Sequence, residues 1–256
     1  MLPTPLEQFQ IISLLPIHVF SLDFSITNML IINLVTLIFF GLIVYFFSAD
    51  TIIIGYTPFY VIPNIWQIFI EIIYDAVSQL LFDNIKLEGE KYFPYISVIF
   101  IFILFNNLIG LIPYSFTITS HIIVTFTLSF SIFIGVNIIG FQRHQMNMLS
   151  LFIPSNTSFV LALILVPIEF VSYLAKPVSL GVRLFINLMA GHTLLKVIVG
   201  FAWSMLLLEN VISFFHVVPL IVLIALMGLE LGVALIQAYV FVVLTCIYLN
   251  DSINLH

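Results

Sequence analysis

The sequence predicts an all-α integral membrane protein, because its composition is strongly apolar and its apolar stretches are continuous. Of its 256 residues, 62% are hydrophobic and 7% are charged, whereas soluble domains carry about 25% charged residues. The long apolar stretches do not alternate with polar residues, which favours helices over barrel strands. No segment has the composition of a soluble domain, so residues 1–256 are expected to form one membrane domain.

The composition also excludes several classes of function. The sequence contains no basic patch for nucleic acid and no Gly-rich phosphate loop, so neither nucleic-acid binding nor direct nucleotide binding is expected. The only cysteine, Cys246, lies in an apolar stretch, which gives no disulfide framework and no zinc site. We therefore predict no cofactor and no metal centre.

The basic residues indicate where the chain is made. No lysine or arginine precedes Lys86, so the N-terminus is neither a typical secretory signal nor an Arg-rich transit peptide. The chain is also rich in Ile and contains 27 Phe, as the AT-rich genome of an organelle would encode. We expect a chain that is encoded in the compartment where it is inserted.

The first elements are a leader, a span and an amphipathic helix. Residues 1–24 form a short leader of mixed composition, and residues 27–47 are long enough to cross a hydrocarbon core of roughly 30 Å. In the segment 64–84, polar residues recur at steps of three and four: Asn64, Gln67, Glu71, Asp75, Gln79 and Asp83. One polar stripe on an apolar helix favours a helix at the membrane surface or packed on a partner, with a true span as the alternative.

Two more spans follow in the middle of the chain. The first is predicted over residues 95–112, where Gly110 and Pro113 mark its end. The second is predicted over residues 118–141, followed by an exposed loop at 142–145.

The positive residues beside these spans predict the orientation of the chain. Lys86, Lys91 and Arg143 fall on the same side because two spans separate them. By the positive-inside rule, this side faces the cytoplasm or the matrix. The N-terminus then faces the opposite compartment, since one crossing precedes Lys86.

The last hundred residues predict two very long helices, over 159–203 and 211–249. Each would extend roughly 55–65 Å at about 1.5 Å per residue, which is about twice the hydrocarbon thickness. Such segments must tilt steeply, bend or form two spans each. Neither has a turn-forming cluster midway, so we predict a hairpin of two long, steeply tilted helices with its turn near 206–210.

A polar stripe runs along the first of these helices, at steps of three and four: Glu169, Ser172, Lys176, Ser179, Arg183 and Asn187. Arg183 is the most informative, because an arginine at membrane depth costs roughly 2.5–3.5 kcal/mol on insertion scales and cannot lose its proton. A stripe of this kind lines water or faces a protein partner. For Glu169 and Lys176, pairing with each other across two turns is the alternative.

Three more polar residues stand out in the hairpin. His192 follows Arg183 by nine residues, and Glu230 and Gln237 share one face of the last helix because they are seven residues apart. A buried carboxylate without a neighbouring cation takes up a proton, which suits a proton relay. A histidine in a membrane helix is equally often a hydrogen-bonded core residue.

These residues occur in motifs that resemble the a subunit of F-type ATP synthases, over nearly the whole chain. The strongest motif is KPVSLGVRLFINLMAGH at 176–192, and the others are NNLIGLIPYSFTITSH at 106–121 and GLELGVALIQ at 228–237. The leader TPLEQFQI at 4–11 and the spacing of the arginine, histidine and Glu/Gln pair resemble mitochondrial forms.

The resemblance implies the proton-translocating stator subunit of a rotary motor in the mitochondrial inner membrane. Its partners would be a rotating c-ring of proteolipid subunits, peripheral-stalk subunits and other Fo membrane subunits, and a bound lipid such as cardiolipin would be compatible. Two offset aqueous half-channels would carry protons to and from the ring and so couple proton flow to ATP synthesis. The N-terminus would face the intermembrane space and the C-terminus the matrix.

The resemblance also assigns roles to residues. Arg183 matches the essential arginine between the half-channels, with Ser179 and Lys176 in supporting positions. The outer half-channel would be lined by Asn107, Asn187, His192, Glu230 and Gln237. Glu169 and Asp251 would line the matrix half-channel. One position departs from the family, because Ile186 stands where a small Gly or Ala is usual and a close approach to the ring would need a small residue.

Two other functions compete with this interpretation. A stand-alone ion channel or secondary transporter could use Arg183 for an anionic substrate, but no internal repeat supports it. A purely structural scaffold does not explain an arginine, a lysine and two carboxylates at or near membrane depth. No hydrolytic triad or metal-ligand cluster occurs in the sequence, so no catalytic site is expected.

Overall fold

The structure, a computed structural model, describes residues 7–19, 22–54, 65–112, 115–145, 148, 159–207 and 217–254. Within these ranges the chain forms six α-helices: α1 Asn28–Ile54, α2 Ile65–Ile85, α3 Phe93–Gly110, α4 Ile122–His144, α5 Phe159–Leu206 and α6 Val217–Ile253. Short 3-10 turns occupy Glu7–Phe9, Lys86–Tyr92 and Ile118–Ser120. The predicted all-α membrane fold with two very long C-terminal helices is confirmed.

Four helical segments of the described chain are long and apolar enough to cross a membrane. They are Glu88–Gly110, Ile122–His144, Leu161–Leu206 and Val217–Ile253. Helix α1 begins with a shorter apolar segment, Asn28–Phe39, and its membrane insertion stays a prediction.

Helix α2 separates a polar face from an apolar face, as the spacing of its polar residues predicts. Glu71, Asp75 and Asp83 are exposed, whereas Val77 and Leu81 are buried against the core. Of the predicted stripe, Asn64 lies outside the described residues. The apolar face packs on α6 and α3, so the carboxylates point away from the bundle.

Helices α5 and α6 form the antiparallel hairpin that positions the polar residues. Helix α5 has 48 residues and α6 has 37, so at about 1.5 Å per residue they extend roughly 72 and 55 Å. Both exceed a hydrocarbon core of roughly 30 Å. We call the end where α5 finishes and α6 begins the hairpin end, and the opposite end, where the chain finishes, the carboxyl-terminal end.

The core surrounds α6. Phe241 and Val242 of α6 are fully buried, and they belong to one apolar cluster with Ile103 of α3 and Leu184 of α5. Helix α6 contacts α2, α3, α4 and α5. This central position explains how polar side chains on α6 reach residues of α3 and α5.

Polar contacts tie the helices together at the carboxyl-terminal end. Arg143 at the end of α4 makes a bidentate ion pair with Glu88, which precedes α3. His144 Nε2 lies 2.8 Å from the backbone carbonyl oxygen of Ile253 at the end of α6. Residues 142–144 are therefore helical and bonded, which corrects the prediction that an exposed loop begins at 142.

Both ends of helix α4 differ from the ends of the predicted span. The helix spans Ile122–His144 rather than 118–141. Its start is later because Thr117 and His121 have extended backbones on either side of the Ile118–Ser120 turn. Its end is later because the polar residues after Phe141 continue the helix into the contacts just described.

The other predicted bounds differ from the observed ones by a few residues. Helix α1 continues to Ile54 rather than 47, α3 covers 93–110 rather than 95–112, α5 reaches Leu206 rather than 203, and α6 reaches Ile253 rather than 249. The predicted start of the last helix, at 211, and most of the predicted turn lie outside the described residues.

The leader has more structure than its composition suggests. Two short antiparallel pairs form in the leader and the residues between it and the start of α1: Ser13–Leu15 (β1) pairs with Ile26–Thr27 (β4), and His18–Val19 (β2) pairs with Leu22–Asp23 (β3). This arrangement folds the leader back so that it ends where α1 begins.

Gly181 allows a close approach of α5 to α4. A Cβ atom at this position would lie 2.7 Å from Ser129 Oγ, 3.1 Å from the backbone oxygen of Thr125 and 3.2 Å from Phe126 Cα. Small residues permit such approaches between membrane helices.

We expect Gly181→Ala to destabilise the protein by about 1–3 kcal/mol through overpacking, measured as a lower temperature of thermal unfolding in detergent. Gly200→Ala is the matched control on α5, because nothing lies within 4 Å of a Cβ there; equal effects of the two variants would contradict the prediction.

Candidate functional site

Arg183 lies on the exposed face of α5, midway between two groups of polar residues. It is four residues before Asn187 and seven residues after Lys176. Within the described residues it has no salt bridge or hydrogen bond, and its charge acts on Tyr248 of α6. An arginine exposed on the side of a membrane-crossing helix is costly in lipid, so this face of α5 requires a polar or charged partner.

The first polar group, which we call the hairpin-end cluster, combines residues from α3, α5 and α6: Asn107, Asn187, His192, Glu230 and Gln237. Asn187 Nδ2 donates a hydrogen bond of 2.8 Å to Gln237 Oε1, and Asn107 Nδ2 donates one of 3.3 Å to the backbone oxygen of Ala234. Four of the five side chains are at most 8% exposed. The structure thus brings the residues predicted for the outer half-channel together, with Asn187 half-buried and the other four buried.

Glu230 fits into a space that a glycine leaves open. A Cβ atom at Gly191 would lie 2.7 Å from Glu230 Oε1 and 3.2 Å from its carboxyl carbon. Since Gly191 directly precedes His192, the carboxyl group of Glu230 lies beside the imidazole-bearing turn of α5. Only a residue without a side chain allows this approach.

Several polar atoms of the cluster are buried without a hydrogen-bond partner in the described part of the chain: Asn107 Oδ1, His192 Nε2 and Glu230 Oε1. A buried polar group left unsatisfied costs about 1–3 kcal/mol. Native proteins satisfy such groups through protein atoms or ordered water. Within the described part of the chain, these three atoms are therefore left for ordered water or another group to satisfy.

The turn between α3 and α4 extends this polar region. Thr117 and Thr119 are almost fully buried, and their hydroxyl oxygens, with His121 Nε2, also have no partner among the described residues. Thr117 packs on Gly110, where a Cβ atom would lie 3.9 Å from His192 Nε2. Burial lowers the pKa of His121 below its ordinary value, so its ring is neutral near pH 7.

The second polar group lies at the carboxyl-terminal end. Lys176 Nζ of α5 lies 3.0 Å from Asp251 Oδ2 of α6. The same ammonium group lies 5.5 Å from the ring centroid of Tyr173 and 4.9 Å from that of Tyr248. Both tyrosines are within the distance at which a cation interacts with an aromatic face, so Lys176 is held by three side chains.

Glu169 is not the partner of Lys176. The alternative that these two residues satisfy each other across two turns was wrong, since Lys176 pairs with Asp251 of the neighbouring helix. Glu169 Oε2 is buried and has no hydrogen-bond partner in the ranges that the structure describes. Ser179 lies between these residues and Arg183, and its hydroxyl donates to the backbone oxygen of Lys176 at 2.9 Å.

Four residues near the two groups were missed by sequence reasoning. Lys196 lies one helical turn after His192, and its charge acts on that imidazole. Glu7 acts electrostatically on Lys196, and Phe9 lies edge-on to His192 with 6.1 Å between ring centroids. The i, i+4 spacing could have identified Lys196; nothing in the spacing indicates Glu7, Phe9 or Tyr248.

The two polar groups offer different chemistry on either side of Arg183. The hairpin-end cluster contains a buried carboxyl group and an imidazole, which can exchange protons with water. The group at the carboxyl-terminal end contains two carboxylates, one paired with a lysine. Both can transfer protons, and the positive charge of Arg183 lies between them on α5.

Comparison with known proteins shows the family of the chain. The sequence profile of the ATP synthase A chain family matches residues 11–250. ATP synthase subunit a of Pylaiella littoralis is 51% identical over 256 residues, covering all of both chains, and that of Marchantia polymorpha is 48% identical over 256 residues, covering 99% of both. ATP synthase subunit a-2 of Arabidopsis thaliana is 48% identical over 260 residues, covering all of this chain and 73% of that protein. The chain therefore belongs to the ATP synthase A chain family, the non-catalytic membrane subunit a of ATP synthase.

Proposed function

We propose that this chain carries protons through two offset half-channels, one at each end of the α5–α6 hairpin, with Arg183 between them. The observation that supports this most directly is the exposed position of Arg183 on a membrane-crossing helix, between two polar clusters that lie toward opposite ends. As a family member, the chain is the proton-conducting subunit of the membrane sector, so a stand-alone channel or transporter is no longer an alternative.

The hairpin-end cluster is the proton-uptake path in this proposal. Its buried carboxyl group on Glu230, its imidazole on His192 and its unpartnered polar atoms support a hydrated route into the bundle. The hydrogen bond between the Asn187 and Gln237 side chains lies at the end of the cluster toward Arg183. A proton taken up at Glu230 would leave the chain near this amide pair and reach the partner surface beside Arg183.

The carboxyl-terminal group is the release path. Glu169 and Asp251 provide carboxylates on α5 and α6, and Asp251 is partly exposed, so water can accept a proton there. Lys176, whose ammonium group lies over the two tyrosine rings, holds Asp251 in place. Ser179 lies between this group and Arg183 and provides a hydroxyl beside the arginine.

The exposed face of α5 suits a rotating partner with membrane carboxylates. Residues around Arg183 on this face are small and exposed: Ser172, Ala175, Ser179 and Ala190. Small residues allow another helix to approach closely, and a guanidinium favours an ionised carboxylate opposite it. Ile186 is half exposed on the same face, so the partner must accommodate a branched side chain there.

The positive charge also separates the two paths. A proton that moved directly from Glu230 to Asp251 would have to pass the fixed charge of Arg183, which repels it. Transfer through the partner carboxylates therefore remains the favourable route. Each charge that crosses the membrane carries about 2.3 kcal/mol per 100 mV, and several such steps drive one nucleotide synthesis in another subunit.

The location and partners complete the proposal. The matched relatives and the leader favour the mitochondrial inner membrane, with the N-terminus toward the intermembrane space and the C-terminus toward the matrix. Partners would be a proteolipid c-ring, peripheral-stalk subunits and other Fo membrane subunits. On this orientation the hairpin end is the outer side, consistent with Lys86, Lys91 and Arg143 near the inner side.

The assembly can be tested by mass spectrometry of the native complex that contains this chain, isolated in mild detergent. The proposal expects a small two-helix proteolipid with one membrane carboxylate, present in several copies, together with nucleotide-binding subunits. Isolation of the chain alone, or only with copies of itself, would contradict the proposed partners.

The Lys176–Asp251 pair provides a quantitative test of the release path. Both side chains are about one third exposed, so the pair is worth about 1 kcal/mol or less, and Lys176→Gln should lower proton-driven ATP synthesis by roughly two- to fivefold. Lys176→Arg, which keeps the charge, should restore most of the rate. Because the two residues act together, Lys176→Gln should add little to the loss caused by Asp251→Asn; additive losses would show that Lys176 does not act through Asp251.

A further inference from the structure

We propose that the N-terminal segment 7–15 is a cap over the outer mouth of the uptake path, in which Phe9 seals His192 from bulk water and Glu7 forms the rim. This inference rests on the proposed function, because the segment has an entrance to cover only if a proton path opens at the hairpin end. Its geometry rests on contacts that involve neither Arg183 nor the exposed face of α5.

The cap is fastened to the start of α1. The side chain of Asn28 accepts a hydrogen bond of 3.2 Å from the backbone amide of Ile12 and donates one of 3.0 Å to the backbone oxygen of Gln10. The backbone amide of Asn28 also donates to the oxygen of Ile12 at 3.2 Å. Strand pairing of Ser13–Leu15 with Ile26–Thr27 continues this connection. The segment that carries Phe9 is thus held in one position.

Phe9 is the part of the cap that enters the bundle. It is 8% exposed, whereas the leader residues around it, such as Ile11 and Leu14, are more than half exposed. Its ring meets the His192 imidazole edge-on, with 6.1 Å between centroids and an interplanar angle of 68°. An apolar ring over an imidazole whose Nε2 is buried limits the water that can reach this nitrogen.

Glu7 and Lys196 define the charged edge of the same mouth. Glu7 is exposed, and its charge acts on Lys196 of α5. Lys196 in turn acts on His192, one helical turn before it. Glu7 thus places a carboxylate at the exposed edge of this contact, and Phe9 lies over the buried His192 imidazole. The cap therefore limits the access of bulk water to this imidazole.

The test is the rate at which diethyl pyrocarbonate modifies the His192 imidazole in the intact complex, followed by peptide mass spectrometry. A buried side chain reacts only through local opening, so we expect Phe9→Ala to raise the His192 rate by roughly an order of magnitude. Phe24→Ala is the matched control, because Phe24 lies in the same leader and is 60% exposed; it should leave the rate unchanged. The peptide that contains position 9 must be present in the same digest.

Several results would overturn the cap. They are an unchanged His192 rate in Phe9→Ala, an equal rise in Phe24→Ala, or a mature chain that lacks residue 9. If the Phe9→Ala complex does not assemble, Phe9→Leu should give a smaller rise, and an unchanged rate there overturns the cap equally. The labelling needs no proton flow, so retained coupling in an Arg183→Ala complex would refute the proposed function and leave the cap standing.

Discussion

Arg183→Ala is expected to abolish proton-driven ATP synthesis while the complex still assembles. Arg183 is exposed and has no salt bridge or hydrogen bond within the described residues, so its removal leaves the core of this chain intact. Losing one member of a charge pair in a poorly hydrated interface costs about 3–5 kcal/mol, which corresponds to a rate loss of roughly 100-fold or more. The measurement is ATP synthesis by the complex in vesicles under an imposed proton gradient, with subunit content checked on native gels.

The matched control for this prediction is Val178→Ala. Val178 is on the same helix, is 42% exposed and belongs to neither polar group. The variant should synthesise ATP at nearly the normal rate. Coupled synthesis in the Arg183→Ala complex at a substantial fraction of the normal rate would refute a mechanism in which the arginine separates the two paths.

Arg183 could be identified from the sequence because charged residues are rare within membrane-spanning stretches. An arginine, a histidine and a glutamate inside apolar stretches are expensive there, so each is a candidate functional position, although a histidine is equally often a hydrogen-bonded core residue. Helical spacing then places Glu230 and Gln237 on one face. The same physics predicts the fold class, since only helices satisfy a backbone across such continuous apolar stretches.

The pairing of residues from different helices could not be predicted in this way. Spacing relates residues of one helix, so it offered Glu169 as the neighbour of Lys176, whereas the actual partner is Asp251, 75 residues later. The contact of Phe9 with His192 joins the leader to α5, and one aromatic residue in an irregular segment carries no periodic signal. Helix ends were misplaced for a related reason, because polar residues such as Arg143 continue a helix through contacts that no apolar window detects.

Glu230→Gln is expected to lower proton-driven ATP synthesis by roughly 100-fold, the contribution typical of a positioned proton-transfer group. The amide keeps the shape of the carboxyl group, so it still fits against Gly191, but it cannot take up and release a proton at neutral pH. Because the loss concerns proton transfer and not folding, the assembled complex should keep its normal thermal stability. The measurements are ATP synthesis under an imposed gradient and passive proton conduction of the membrane sector.

Displacing the Glu230 carboxyl group separates its chemistry from its position. Gly191→Ala places a methyl group only 2.7 Å from Glu230 Oε1, so the carboxyl group must move away from the turn that carries His192. Proton conduction should then fall although the carboxylate is still present. Gly228→Ala is the matched control on α6, since nothing lies within 4 Å of a Cβ there, and it should conduct normally. If Glu230→Gln conducts protons at the normal rate, protons do not pass through this carboxyl group. If Glu230→Gln loses conduction but Gly191→Ala retains it in full, the carboxyl group acts without a fixed position. The space beside Gly191 then has no part in proton uptake.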